Sequence, residues 1–75
     1  MVPYKNLGGN SGVAAYEIDS DRITVKFLDG SVYLYTYRSA GQINIEKMKG
    51  FAIAGRGLNA FINTCVGKDY DRKVR

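Results

Sequence analysis

The chain has no histidine and no tryptophan, and only one cysteine and one proline, in 75 residues. Without histidine, Ser-His-Asp and Cys-His nucleophile arrangements, histidine zinc sites and a near-neutral imidazole switch are excluded together. Cys65 alone closes no intramolecular disulfide and builds no multi-thiolate metal site, so nothing suggests cross-linking in an oxidising compartment, and a cytoplasmic location is the expectation. The longest uncharged runs, Asn6–Tyr16 and Gly57–Gly67, reach eleven residues. A membrane-spanning helix needs roughly 18–20 apolar residues, so no membrane association is expected. Met1–Asn6 offers one lysine and is followed by Gly and Asn rather than an apolar stretch, which is not the pattern of a secretory leader. The carboxylates, lysines and tyrosines are scattered and form no spaced pair that would tune a proton acceptor. The expectation is therefore a non-enzyme with no metal and no cofactor.

What is present suits one small folded domain. Hydrophobic residues make up 45% and charged residues 24%, the balance of a globule rather than of a disordered chain. Charge is the one biased quantity, with a formal net value of +4. Up to Tyr37 the chain carries Lys5, Arg22 and Lys26 against Glu17, Asp19, Asp21 and Asp29, a net −1. From Arg38 onward it carries Arg38, Lys47, Lys49, Arg56, Lys68, Arg72, Lys73 and Arg75 against Glu46, Asp69 and Asp71, a net +5. That second part suits a polyanion, because each phosphate neutralised by Lys or Arg releases counterions. Solubility alone also accounts for such a charge, and many small domains that carry it bind no nucleic acid.

Residues 1–12 combine Pro3, three glycines and two asparagines without periodicity, and read as a flexible N-terminal segment ahead of a single domain over 13–75. Val13–Asp19 alternates as a half-buried strand, and Arg22–Leu28 does so more strictly, with Ile23, Val25 and Phe27 on one face. Asp29-Gly30 signals a hairpin into a third strand, Ser31–Tyr37. That strand is apolar or aromatic on both faces, so two registers are open. A two-residue loop sets Leu28 opposite Ser31 and turns Tyr33, Tyr35 and Tyr37 outward with Arg22, Thr24 and Lys26, an aromatic and basic platform. A three-residue loop with Gly30 left-handed sets Phe27 opposite Ser31 and makes the tyrosines packing residues.

Ser39 and Gln42 have the spacing of a capping box, which predicts a helix from near Ala40 with Ile45, Met48, Phe51 and Ala52 on one side and Lys47 and Lys49 toward water. Leu58–Val66 predicts a second helix, with Leu58, Phe61, Ile62, Cys65 and Val66 as its buried stripe and Gly67 as its stop. The fold class is then α+β: a three-stranded antiparallel β-meander followed by two helices packed on one sheet face, β-β-β-α-α. Gly55-Arg56-Gly57 ahead of a helix offers backbone N–H groups and a guanidinium for an anion, with Asn59 beside it. The same pattern also makes a tight helix–helix corner, with Asn59 capping it. The tail residues Lys68, Arg72, Lys73 and Arg75 are phosphate-contact candidates or a solvated end, with Tyr70 as their anchor.

The hairpin followed by Tyr33-x-Tyr35, then Ala52-x-x-Gly55-x-Gly57-Leu58-Asn59-x-Phe61-Ile62 and Val66-x-x-x-Tyr70, resembles the KTSC domain. That family is named for its place at the C-terminus of some lysyl-tRNA synthetases, and it also occurs as stand-alone bacterial or phage proteins. The match runs from about Val13 to Lys73. The family often has Val-Pro after its tyrosine strand, where this chain has Arg38-Ser39-Ala40-Gly41. The resemblance implies structural roles for Tyr33, Tyr35, Leu58, Phe61, Ile62 and Tyr70. The residue between the family's two tyrosines is often polar, which favours tyrosines facing inward. Leu34 at that position is then expected on an exposed patch or in a subunit contact. The family's role is unestablished, with RNA binding suggested by the synthetase context.

Two functions follow as expectations. The first is an RNA- or nucleic-acid-binding domain contacting phosphate through a basic helical flank of Lys47, Lys49 and Arg56 together with Lys68, Arg72, Lys73 and Arg75. The alternative is a protein-interaction or self-association module, as a homodimer or with another protein, using the third strand's open edge and the exposed sheet face.

Overall fold

The computed structural model describes residues 1–9 and 11–75. It is an α+β fold: a five-stranded antiparallel sheet with strands in chain order, and helices between the fourth and fifth. The strands are β1 (Val2–Pro3), β2 (Val13–Asp19), β3 (Arg22–Phe27), β4 (Val32–Thr36) and β5 (Arg72–Lys73). The helices are α1 (Tyr37–Ala40), α2 (Gln42–Ala54) and α3 (Leu58–Phe61), which runs on as a π-helix over Ile62–Val66.

The hairpin between β3 and β4 settles the register. Lys26 pairs with Val32 and Val25 with Tyr33, the Phe27 N–H donates to the Ser31 carbonyl at 2.8 Å, and Gly30 has φ +91°. The loop is therefore Leu28-Asp29-Gly30, with glycine supplying the positive φ. Tyr33 and Tyr35 share the face of Ile23 and Val25, and Tyr35 is only 2% exposed. On that face Tyr16, Ile23, Val25 and Tyr35 meet Ile45, Met48 and Ala52 of α2 and Leu58, Ile62 and Val66 beyond it in one core. In β2 the pairing slips between Val13 and Ala15. This bulge brings Val13 and Tyr16, three residues apart, to the same buried side.

Several expectations are corrected. Val2–Leu7, read as part of a lead-in without regular structure, instead packs on the domain: β1 adds to β2, Tyr4 is buried, and the Leu7 N–H donates to the Gly55 carbonyl at 2.7 Å. The third strand's edge is not open, because β5 pairs with β4 and the Val74 and Arg75 N–H groups both donate to the Val32 carbonyl. Leu34 is 5% exposed rather than part of a patch. Its cross-strand neighbours are Thr24 and Arg72, and long side chains such as Arg72 shield apolar surface with their stems. The capping box lies three residues upstream of the expected one. The Ser39 N–H donates to Thr36 Oγ1 and the Thr36 N–H to Ser39 Oγ, both at 3.0 Å, opening the single turn of α1. Gly41, at φ +91°, then separates α1 from α2. Cys65 is exposed. The π-helical winding, seen in the Gly67 N–H donating to the Ile62 carbonyl at 2.6 Å, spaces the buried stripe by four as Leu58, Ile62 and Val66 and rotates position 65 outward. Phe61 is half-buried against the core.

Candidate nucleic-acid interface

The cations singled out in the sequence do not form one helical flank. Lys47 is exposed on α2 and Lys68 lies exposed after Gly67. Lys49 is engaged: its Nζ is 2.7 Å from Glu46 Oε2, donates to the Ser20 carbonyl at 2.8 Å and lies 5.6 Å from the Tyr37 ring centroid. The hydrogen bond to Glu46 holds the Lys49 ammonium above its ordinary pKa. The Tyr37 hydroxyl donates to the same carboxylate at 2.6 Å, so this cluster ties α1, α2 and the β2–β3 turn together.

The Gly55-Arg56-Gly57 corner is also occupied. Gly55 and Gly57 sit at φ +78° and +83°, and a Cβ on Gly55 would meet Lys5 Cβ at 2.6 Å. Only glycine fits that conformation and that approach. The Leu58 N–H, which an anion would use, donates to the Tyr4 hydroxyl at 3.3 Å. Exposed Arg56 and half-buried Asn59 edge a groove of about 190 Å³ with Tyr4 and Ser11. Among the described residues, the side-chain hydrogen bond at this corner comes from Tyr4 and not from Asn59.

Two of the tail cations, Lys73 and Arg75, come together beside the β3–β4 hairpin. Pairing of β5 with β4 sets Lys73 opposite Tyr33, and Lys73 Nζ lies 5.9 Å from that ring's centroid. Tyr33 is held by Tyr70, centroids 4.7 Å apart, and by the edge of Phe27 at 5.7 Å. Phe27, Leu28, Asp29, Ser31, Tyr33 and Gly12 line a groove of about 360 Å³. Lys73 and Arg75 line the adjoining groove past Gly30. Leu28, at the tip of the hairpin, is 71% exposed. Asp29 is the one acid in the groove lining. Its Oδ1 accepts from the Ser31 hydroxyl and N–H at 2.6 and 2.9 Å. These bonds, with Lys73 nearby, hold the carboxyl below its usual range. Arg72 points to the opposite sheet face, in register with Leu34. Among the described residues Lys73 and Arg75 make no ion pair.

Of the anticipated residues, the structure thus brings together Tyr33, Tyr70, Lys73 and Arg75, and leaves Lys47, Lys49, Arg56 and Lys68 elsewhere. Phe27 and Leu28 were missed as site residues. Their signal was the three-residue reading of the hairpin, which exposes Leu28 and brings Phe27 beside Tyr33. Among the described residues no group of three His, Cys, Asp or Glu side chains is placed to hold a metal ion, and no helix is long and apolar enough to cross a membrane. No protein-family model, curated protein or solved structure matches the chain.

Proposed function

We propose that the chain is a non-enzymatic nucleic-acid-binding module, RNA preferred, whose β2–β4 meander and following helices form a KTSC-like unit with β1 and β5 added at its edges. The observation that carries this reading is the pairing of β5 with β4, which sets the Lys73 ammonium over the Tyr33 ring with Arg75 beside it. Cations at fixed positions next to aromatic side chains are the combination that follows a phosphate backbone. The excess of positive charge in the second half of the chain adds a longer-range attraction.

The test is titration of a labelled RNA at increasing salt. With Lys73 and Arg75 each meeting one phosphate, the association constant should fall about 25-fold per tenfold rise in salt, from a slope of roughly 0.7 per phosphate on a single strand. Replacing both residues with alanine should flatten that dependence. Absence of association at low salt would remove the proposal.

A further inference from the structure

The groove beside the cations is apolar, and that decides which form of nucleic acid it suits. A duplex presents phosphates and groove edges, whereas an unpaired strand also offers free base faces that stack on hydrophobic side chains. Phe27 and Tyr33 are fixed as a wall by their mutual edge contact and by Tyr70 behind Tyr33. Leu28, exposed at the hairpin tip, lines the same groove. At about 360 Å³ the groove lies within the roughly 300–1,000 Å³ typical of small-ligand sites, ample for one nucleobase. An isolated hydrophobic cleft would suit an apolar peptide side chain equally. Here its open end meets Lys73 and Arg75, and Asp29 within it is already bonded to Ser31. A base joined to a phosphate matches both parts.

We infer that the groove lined by Leu28 and the Phe27–Tyr33 wall takes an unpaired base of a single-stranded nucleic acid, with Lys73 and Arg75 on the phosphates flanking it. This deepens the proposed function and rests on it. The platform is formed before ligand arrives, because the rings that build it are held by one another and by the tail, so binding should require no refolding of the chain.

The experiment compares three probes on the full chain: a short labelled single-stranded RNA, the same strand annealed to its complement, and an abasic strand of equal phosphate number. The intact single strand should bind at least about tenfold tighter than either of the others, in the lower half of the range for one base stacked on a side-chain platform. Leu28→Ala, at an exposed loop position where folding is not at stake, should remove most of that advantage while leaving the salt slope unchanged. Lys73→Ala should do the reverse, lowering the slope by about 0.7 and keeping the preference for bases. Equal binding of all three probes, or a base preference untouched by Leu28→Ala, overturns this inference and leaves the broader proposal standing. Failure of every probe at low salt overturns both. Tighter binding of an acidic, apolar peptide to the same groove, lost in Leu28→Ala, overturns the inference in favour of a protein ligand.

Discussion

The backbone N–H of Leu58 donates to the phenolic oxygen of Tyr4 at 3.3 Å, a buried contact that joins the start of the chain to the corner where α2 hands over to α3. The N–H groups of a helix's first turn have no partner within the helix, and the Gly57 N-cap brings no side-chain bond. A hydroxyl from the N-terminal segment fills that role. Tyr4→Phe should therefore cost about 1 kcal/mol, the price of a buried donor left unpaired, and lower Tm by roughly 4–8 °C in a domain of this size. Tyr4→Ala should cost about 3–5 kcal/mol, as for other large aromatics removed from a core. Thermal melts of the two variants check this. Wild-type melting of both would mean that the N-terminal segment contributes nothing to the fold.

Two glycines of the same helix should respond to alanine with opposite signs. Gly50 lies inside α2, is exposed, and has nothing within 4 Å of where a Cβ would sit. Alanine there reduces unfolded-chain entropy and favours the helix, so Gly50→Ala should stabilise by about 0.5–1 kcal/mol. Gly55 ends the helix at φ +78° and its added Cβ would press on Lys5 Cβ at 2.6 Å. The left-handed backbone alone costs about 1–2 kcal/mol, and displacing Lys5 disturbs the bond from Leu7 to Gly55 as well. Urea unfolding of the pair should move the midpoint up for the first and down for the second, whose unfolding free energy should fall by about 2 kcal/mol or more.

Lys49 separates a residue that looks functional in the sequence from one that acts structurally. Its ammonium is shared by the Glu46 carboxylate, the Ser20 carbonyl and the face of Tyr37. Lys49→Ala should lower the unfolding midpoint and leave RNA affinity and its salt dependence unchanged. The identical substitution at Lys73 should reduce the salt slope and leave the midpoint nearly unmoved. Equal loss of RNA affinity in the two variants would return the helical face to the binding surface.

The parts of the fold that were legible in the sequence are those set by periodicity. Ile23, Val25 and Phe27 alternate, and Ile45, Met48 and Ala52 recur at helical spacing, and these residues form or flank the core. The two edge strands were not legible, because Val2–Pro3 and Arg72–Lys73 are too short to show a pattern and exist only through partners far away in the chain. Cys65 was misplaced because a seven-residue step returns to the same face only in an α-helix, and here the chain winds as a π-helix. The site followed the same rule. The cations of the tail were visible, but their meeting with Tyr33 depends on a hairpin loop whose length decides which way every side chain of β4 points.

Tyr35 gives the fold a dependence on alkaline pH. Burial is the main cause that pushes its phenol up to about 12, with Tyr33, Tyr70 and Asp69 adding to it, while the hydroxyl donates to the Gly67 carbonyl at 3.2 Å. An unfolded tyrosine loses its proton near pH 10. Between these values the native state holds a proton that the unfolded state has released, so stability present below pH 10 is lost as pH rises toward 12. A two-unit displacement corresponds to something on the order of 2–3 kcal/mol over that window. Tyr35→Phe removes the titrating group. It should be less stable than wild type at neutral pH by about 1 kcal/mol for the lost hydrogen bond, yet decline less between pH 10 and 12. Half-buried Tyr37, also raised by its bond to Glu46, is present in both proteins and cancels in the comparison. Urea midpoints measured for the two proteins from pH 8 to 12 should converge or cross at the alkaline end. Parallel curves would show that the Tyr35 phenol is not withheld from ionisation by the core.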